Sequence, residues 1–357
     1  MRLFILLILS LAASAGQQRS AAQLSKAGWD ALNAGRVREA AAAFDEALKA
    51  APQQAPVLLG AGVAAHLQGR PEAARRFLID ALDLDPSMTP AALLLGNVLY
   101  QSGDIDGAID IYQQALARAP NHPRLTAQLE AWRKEAALHS GFGRKLGDHF
   151  TVLFEGPAEA ALAERAVQIL EDAYWRVGTA LYTYPTDVIT VVLYTREQFR
   201  DITQSPEWAS GAFDGRIRLP VQGALQNRAE FERVLAHEFT HALVQSLAPR
   251  GVPFWLHEGL AVCFEGSDLQ QKEQQVRAAR ARLPLARLER SFAGLSGADA
   301  ALAYAESAVA VRALLDLAGA PAVVNLLDDL GRGSPLADAF ERNILISYAE
   351  FQNTRQE

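Results

Sequence analysis

Gly35, Gly69 and Gly103 lie 34 residues apart, and so do Gly28, Gly62 and Gly96. The same interval relates Ala40, Ala74 and Ala108, and again Ala47, Ala81 and Ala115. Phe44, Leu78 and Tyr112 hold a large position between the alanines, and Pro52, Pro86 and Pro120 close each unit. Registers that agree over three copies require one supersecondary unit repeated three times, which leaves few folds open. The physical logic is that of a helix hairpin. Small residues let two helices approach closely, the middle glycine makes the turn, and the terminal proline ends the second helix. Such units stack into a short solenoid with a concave groove suited to a peptide or a partner protein.

The pattern resembles the tetratricopeptide repeat family across residues 22–121. The small-residue and proline positions match, while the family's tryptophan and first tyrosine positions are mostly aliphatic here. Leu125, Leu129, Trp132 and Ala136 follow at helical spacing. Residues 122–138 are therefore expected to cap the last unit, giving a helical repeat domain over 22–138. No groove residue names a ligand, so a spacer or an oligomerisation surface is the plain alternative.

The chain begins with Arg2, a ten-residue apolar run from Leu3 to Ala12, and the small-x-small triplet Ala13-Ser14-Ala15. The run is too short to span a bilayer comfortably, and the order is that of a signal peptide over residues 1–15. Gly16 stands where a lipidated cysteine would, which argues against a lipid anchor. No other apolar stretch is expected to reach spanning length. The mature chain is thus expected to be soluble, without a membrane span, and periplasmic or extracellular. Cys263, the single cysteine, excludes an intramolecular disulfide and a multi-cysteine metal site. A formal charge of -7 speaks against nucleic acid as a partner. With 357 residues, about two domains are expected.

His139-Ser140-Gly141-Phe142-Gly143 interrupts the helical rhythm, so residues 139–147 read as a linker. Beyond it, Phe150 to Phe154 reads as a strand, Ala158 to Leu181 as a long helix, and Val188 to Tyr194 as a β-branched strand. Asp214-Gly215 is a strong hairpin signal. The segment Gly211 to Leu219 reads as an edge strand over a cleft. It would either pair with an extended substrate or be guarded by Arg216 and Arg218. Downstream of residue 225 nearly everything reads helical. Residues 148–357 therefore form an α+β domain, and the chain as a whole is α+β and mostly helical.

Asn227 and Glu230 have capping-box spacing, and Phe231, Val234, Leu235, Ala242 and Leu243 trace the apolar face of a helix that Pro249 ends. Inside it stands His237-Glu238-Phe239-Thr240-His241. Histidines at i and i+4 share a helix face, so their ring nitrogens can meet one ion. Glu238 is rotated by about 100° from His237, where it can reach a water on that ion, the place of a general base. Two buried helix histidines are the bland alternative. The next segment, Pro253 to Val262, places Glu258 in an apolar helix, where a carboxylate is costly unless paired or bound to metal. Gly259 and Ala261 are small and are expected to let this helix pack tightly on the first.

These segments resemble the gluzincin metallopeptidases of the thermolysin-like clan, and more narrowly peptidase MA-like domains that pair HExxH with W-x-x-E-G-x-A. The second motif is carried by Trp255, Glu258, Gly259 and Ala261. The resemblance covers roughly 148–350, and its specific part is 227–262. It implies a gluzincin-like zinc domain with Zn2+ held by His237, His241 and Glu258, and with Glu238 as the base. It also implies a second electrophile from a Tyr or His downstream of the third ligand. Tyr304 is the candidate, its alternative being a helix-packing tyrosine. His257 points away from Glu258 and reads as a supporting or surface histidine, and Cys263 as a small buried hydrophobe. The implied function is a secreted zinc peptidase, with the repeats binding protein substrate or partner. The alternative is a non-catalytic repeat-based adaptor with a structural or inactive zinc domain. The retained Glu238 argues against that alternative, since a structural site has no need of a base.

Overall fold

The computed structural model describes residues 20–203, 211–221 and 227–354. The expected leader, residues 1–15, lies outside the described residues. The repeats form α1 (Ala21–Asn33), α2 (Val37–Ala50), α3 (Ala55–Leu67), α4 (Pro71–Leu84), α5 (Thr89–Gln101) and α6 (Ile105–Arg118). Packing explains their interval. A Cβ added at Gly28 would come within 2.7 Å of the Phe44 ring, at Gly62 within 2.8 Å of Leu78, and at Gly96 within 2.2 Å of Tyr112. The glycine register and the large-residue register are thus one contact seen from its two sides. Gly35, Gly69 and Gly103 turn each hairpin at φ +73°, +68° and +93°, a backbone region that side chains disfavour.

The next helix, α7 (Pro123–His139), buries Leu125, Leu129 and Trp132 against the last unit. The rings of Tyr100 and Tyr112 lie 5.0 and 4.5 Å from that of Trp132. Glu135 is buried on the same helix, a feature its apolar neighbours do not announce.

The chain then forms β1 (Phe142–Leu146), β2 (Phe150–Glu155), α8 (Ala160–Leu181), β3 (Ile189–Tyr194), α9 (Arg196–Thr203), β4 (Ala212–Phe213) and β5 (Ile217–Pro220). The sheet order is β1-β2-β3-β5-β4, with β2, β3 and β5 parallel and the outer two pairs antiparallel. The stretch read as a linker therefore contains a strand. Arg144 and Lys145 hide any apolar alternation in β1, and only its pairing with β2 makes it a strand. Phe150, Val152, Val191, Leu193, Ile217 and Leu219 join α8 in a core on one face of the sheet. Val192 and Tyr194 turn the other way, under Phe199 of α9 and Leu138 of α7. The last helix of the repeat region thus covers part of the sheet.

Helices complete the chain: α10 (Arg228–Leu247), α11 (Phe254–Phe264), α12 (Leu269–Ala278), α13 (Gly297–Gly331), α14 (Leu336–Ile344) and α15 (Tyr348–Thr354). Phe231, Leu235, Phe239 and Leu243 pack α10 into the sheet core. Trp255, Leu256 and Leu260 of α11 share a second core with Val311, Leu314, Val323 and Leu327 of α13. By length and composition α13 could cross a membrane, so the expectation that no second stretch reaches that length fails for it. Its backbone breaks at Gly319 (φ 77°, ψ 163°), and residues on both sides of the break fill the second core.

Candidate metal centre

The Asn227 side chain starts α10 by accepting a hydrogen bond from the Glu230 N–H at 3.1 Å. Glu230 gives its own carboxylate to Arg233 at 2.5 Å, so only one half of the expected capping box is used. One helical turn separates His237 from His241, and their rings stand edge to face at 4.7 Å. The turn around Pro249 and Pro253 folds α11 back across α10. Glu258 Oε2 then lies 3.5 Å from Nε2 of His237 and 3.5 Å from Nε2 of His241. One ligand atom from each of the three residues can be chosen so that all lie within 4.8 Å of one another. A tetrahedral ion with bonds of 2.0–2.2 Å holds its donors roughly 3.3–3.6 Å apart, so this set suits an ion of the size of Zn2+.

The ring orientations have visible causes. His237 Nδ1 lies 2.6 Å from Glu265 Oε2, which leaves Nε2 turned toward Glu258. Glu265 is itself held by Arg233 at 3.0 Å and by the Ser267 hydroxyl. His241 Nδ1 is buried with no hydrogen-bond partner among the described residues, and the His257 ring stacks flat on His241 at 4.3 Å. Burial raises the Glu258 carboxyl, but His241 and His237 outweigh it and hold the group well below the usual carboxylate range. Burial opposes the charged form of His237, yet its hydrogen bonds to Glu258 and Glu265 push it up to about 10. Burial also raises Glu238, against the pull of His241 and His237. Glu258 is thus already an anion, and a cation bound here would take the place of the proton on His237.

Residues 172–349 match the family model of the Peptidase MA superfamily. Residues 25–89 and 65–131 match tetratricopeptide repeat models. The chain joins tetratricopeptide repeats to a peptidase MA domain. That superfamily is typically zinc-dependent. Among solved structures, the first tetratricopeptide domain of Spaghetti (RPAP3) bound to the HSP90 peptide SRMEEVD shares 20% identity at a TM-score of 0.32, covering 34% of this chain and 98% of that one. The NMR structure of the first such domain of human RPAP3 shares 20% identity at a TM-score of 0.31, over 33% of this chain and 93% of that one. No curated protein gives a significant match.

Within the peptidase MA domain, Glu238 is buried beside the histidine pair. A Cβ on Gly211 would fall 2.4 Å from its Oε1, so the backbone entering β4 lies directly against this carboxylate. Tyr304 stands on α13 with its ring edge-on to Phe292 at 5.3 Å. Burial raises its hydroxyl, and the charges of Glu258 and Glu238 raise it further. Cys263 is partly buried, with Sγ 3.4 Å from the Ala308 carbonyl.

Two expectations are corrected by the packing. Gly259 does not seat α11 on α10: an added Cβ would meet the Ser307 carbonyl at 2.4 Å, so the close approach is to α13. The edge strand is β4, and Arg216 and Arg218 do not guard it in solvent. They are 3% and 1% exposed, turned toward α5 and α7. Glu265 was not anticipated at all, although it follows Glu258 by seven residues, two turns along one helix face.

Proposed function

We propose that the chain is a zinc-dependent peptidase whose metal is held by His237, His241 and Glu258. The observation that carries this reading is the convergence of Glu258 Oε2 on both histidine Nε2 atoms at 3.5 Å. Bound there, Zn2+ would supply a Lewis acid for a scissile carbonyl and lower the pKa of a water toward neutrality. Glu238, held up by burial beside that position, accepts the proton of the attacking water and passes it to the leaving amine. The Tyr304 hydroxyl, kept protonated by its surroundings, donates to the oxygen on which negative charge develops. The outer edge of β4, the last strand of the sheet among the described residues, aligns an extended substrate backbone. Glu265 and Arg233 fix the His237 ring.

The repeats serve a protein substrate or partner in this reading, and the leader over residues 1–15 sends the chain to the periplasm or beyond the cell. The test is metal content and peptide turnover of the mature protein beside Glu238→Gln and His241→Ala. One zinc per chain, lost in His241→Ala, together with turnover lost in a zinc-loaded Glu238→Gln, supports the reading. A folded protein that takes up no zinc when supplied with it overturns the reading.

A further inference from the structure

Glu135 is the odd residue of α7. Its side chain is buried among the apolar contacts that cap the repeats, where a lone carboxylate would be costly. It is not alone. Its Oε1 accepts from Arg216 Nη1 at 3.0 Å and from Arg218 Nη1 at 2.9 Å, and its Oε2 accepts from the Tyr100 hydroxyl at 2.5 Å. The Tyr100 hydroxyl accepts in turn from Arg218 Nη2 at 2.7 Å, and the Tyr100 carbonyl from Arg216 Nη2 at 3.0 Å. Arg218 also reaches the Tyr194 hydroxyl at 2.7 Å and Asp214 at 3.0 Å. A well-packed apolar cluster could stabilise such an interface as well, so what an ion network of this kind adds is a fixed register.

What it fixes is the β4–β5 hairpin. Arg216 and Arg218 belong to that hairpin, and a Cβ on Gly215 at its tip would meet the Gln101 carbonyl of α5 at 3.1 Å. Arg218 pairs across the sheet with Ala212, and Ala212 adjoins Gly211, whose backbone lies against Glu238. One rung of the sheet thus separates the repeat-bound arginine from the wall of the Glu238 carboxylate. The repeats meet the peptidase domain at each of their three glycine turns as well. Gly35 lies by Gly333, Gly69 by Pro249, and Gly103 by Thr190.

We propose that the repeat array is a positioning part of the cleft: Glu135 and Tyr100, acting through Arg216 and Arg218, hold the hairpin so that its backbone at Gly211 lies against Glu238. What this positioning is for rests on the peptidase reading; the coupling itself does not. The array is then no detachable recruitment module, and even a short peptide that never touches the repeats depends on it.

The test uses the full mature chain. Glu135→Gln, Tyr100→Phe and Lys134→Ala are compared with wild type for zinc content, for kcat and KM on a short fluorogenic peptide, and for hydrogen–deuterium exchange over residues 211–221. Lys134→Ala removes an exposed ion pair with Asp201 across the same interface and should behave as wild type. Glu135→Gln should keep its zinc, lose roughly tenfold or more in kcat, and exchange faster over 211–221. Tyr100→Phe, which keeps both arginine contacts to Glu135, should show the same changes more weakly. A merely structural network would lower the melting temperature and leave kcat untouched. A zinc-loaded Glu135→Gln with wild-type kcat and wild-type exchange overturns the proposal. Should that variant not fold, wild-type kcat and exchange in Tyr100→Phe overturn it. If the wild-type chain cuts no peptide, the peptidase reading fails by itself, and the exchange measurement still decides the coupling.

Discussion

His237 Nδ1 and Glu265 Oε2 lie 2.6 Å apart, and this contact turns the other ring nitrogen of His237 toward Glu258. The carboxylate that orients the ring sits seven residues beyond the one that faces it, at the C-terminal cap of the same helix. One helix face therefore supplies both a candidate ligand and the group that aims another.

Replacing Glu265 by Gln should weaken zinc binding without abolishing it. Loss of an orienting carboxylate behind a histidine ligand costs about 10–100-fold in metal affinity. Chelator competition against the wild-type protein checks this, and equal affinities would remove Glu265 from the supporting role.

Tyr304→Phe should lower kcat by roughly 100-fold or more while leaving KM and zinc content close to wild type, as expected for a donor used only by developing charge. Steady-state kinetics on one peptide decide it. A rise in KM alone would make Tyr304 a binding residue.

Gly259→Val should destabilise the protein by about 1–3 kcal/mol or more, because its Cβ would press on the Ser307 carbonyl at 2.4 Å and neither helix can yield alone. Denaturant unfolding gives the number. Zinc affinity should fall with it, since the same helix carries Glu258.

Gly69→Ala tests the docking of the repeats. The residue has φ +68°, and its added methyl would meet Pro249 Cγ at 2.9 Å. A loss of at least about 1 kcal/mol is expected, from backbone strain and the clash together. Faster exchange at the C-terminal end of α10 should accompany it.

Acid should loosen the interface in two steps. Burial holds His139 down to about 4, so between roughly pH 6.5 and 4 only the unfolded chain takes that proton, and stability falls as the pH falls. Burial raises Glu135, but Arg218, Tyr100 and Arg216 outweigh it and lower the group. Its contribution is complete above the ordinary Glu value of about 4.3 and is lost as the pH drops through the folded value. Tyr194 and Asp214 face the same cluster. Melting temperatures across this range should decline in wild type, and His139→Gln should flatten the upper part. An unchanged slope in that variant would remove His139 from the account.

The sequence alone determined whatever is built from contacts within a turn or a hairpin. The glycine of one helix meets the large residue of the next at a fixed interval, so the repeats were legible as a period. His237 and His241 share a face because an α-helix returns every 3.6 residues, and no fold is needed to know it. The β-branched run of β3 and the Asp214-Gly215 hairpin were readable for the same reason. Tertiary structure decided the rest. The polar strand β1 exists only because β2 offers it hydrogen bonds. Glu258 meets the two rings because a short turn returns α11 across α10, and Tyr304 feels the Glu258 charge because a later helix packs on α11. Arg216 and Arg218 look in sequence like charges meant for solvent. They are buried because Glu135 and Tyr100, more than 80 residues upstream on other helices, supply the carboxylate and hydroxyl that make burial tolerable. No local pattern encodes a partner that only the folded chain brings near.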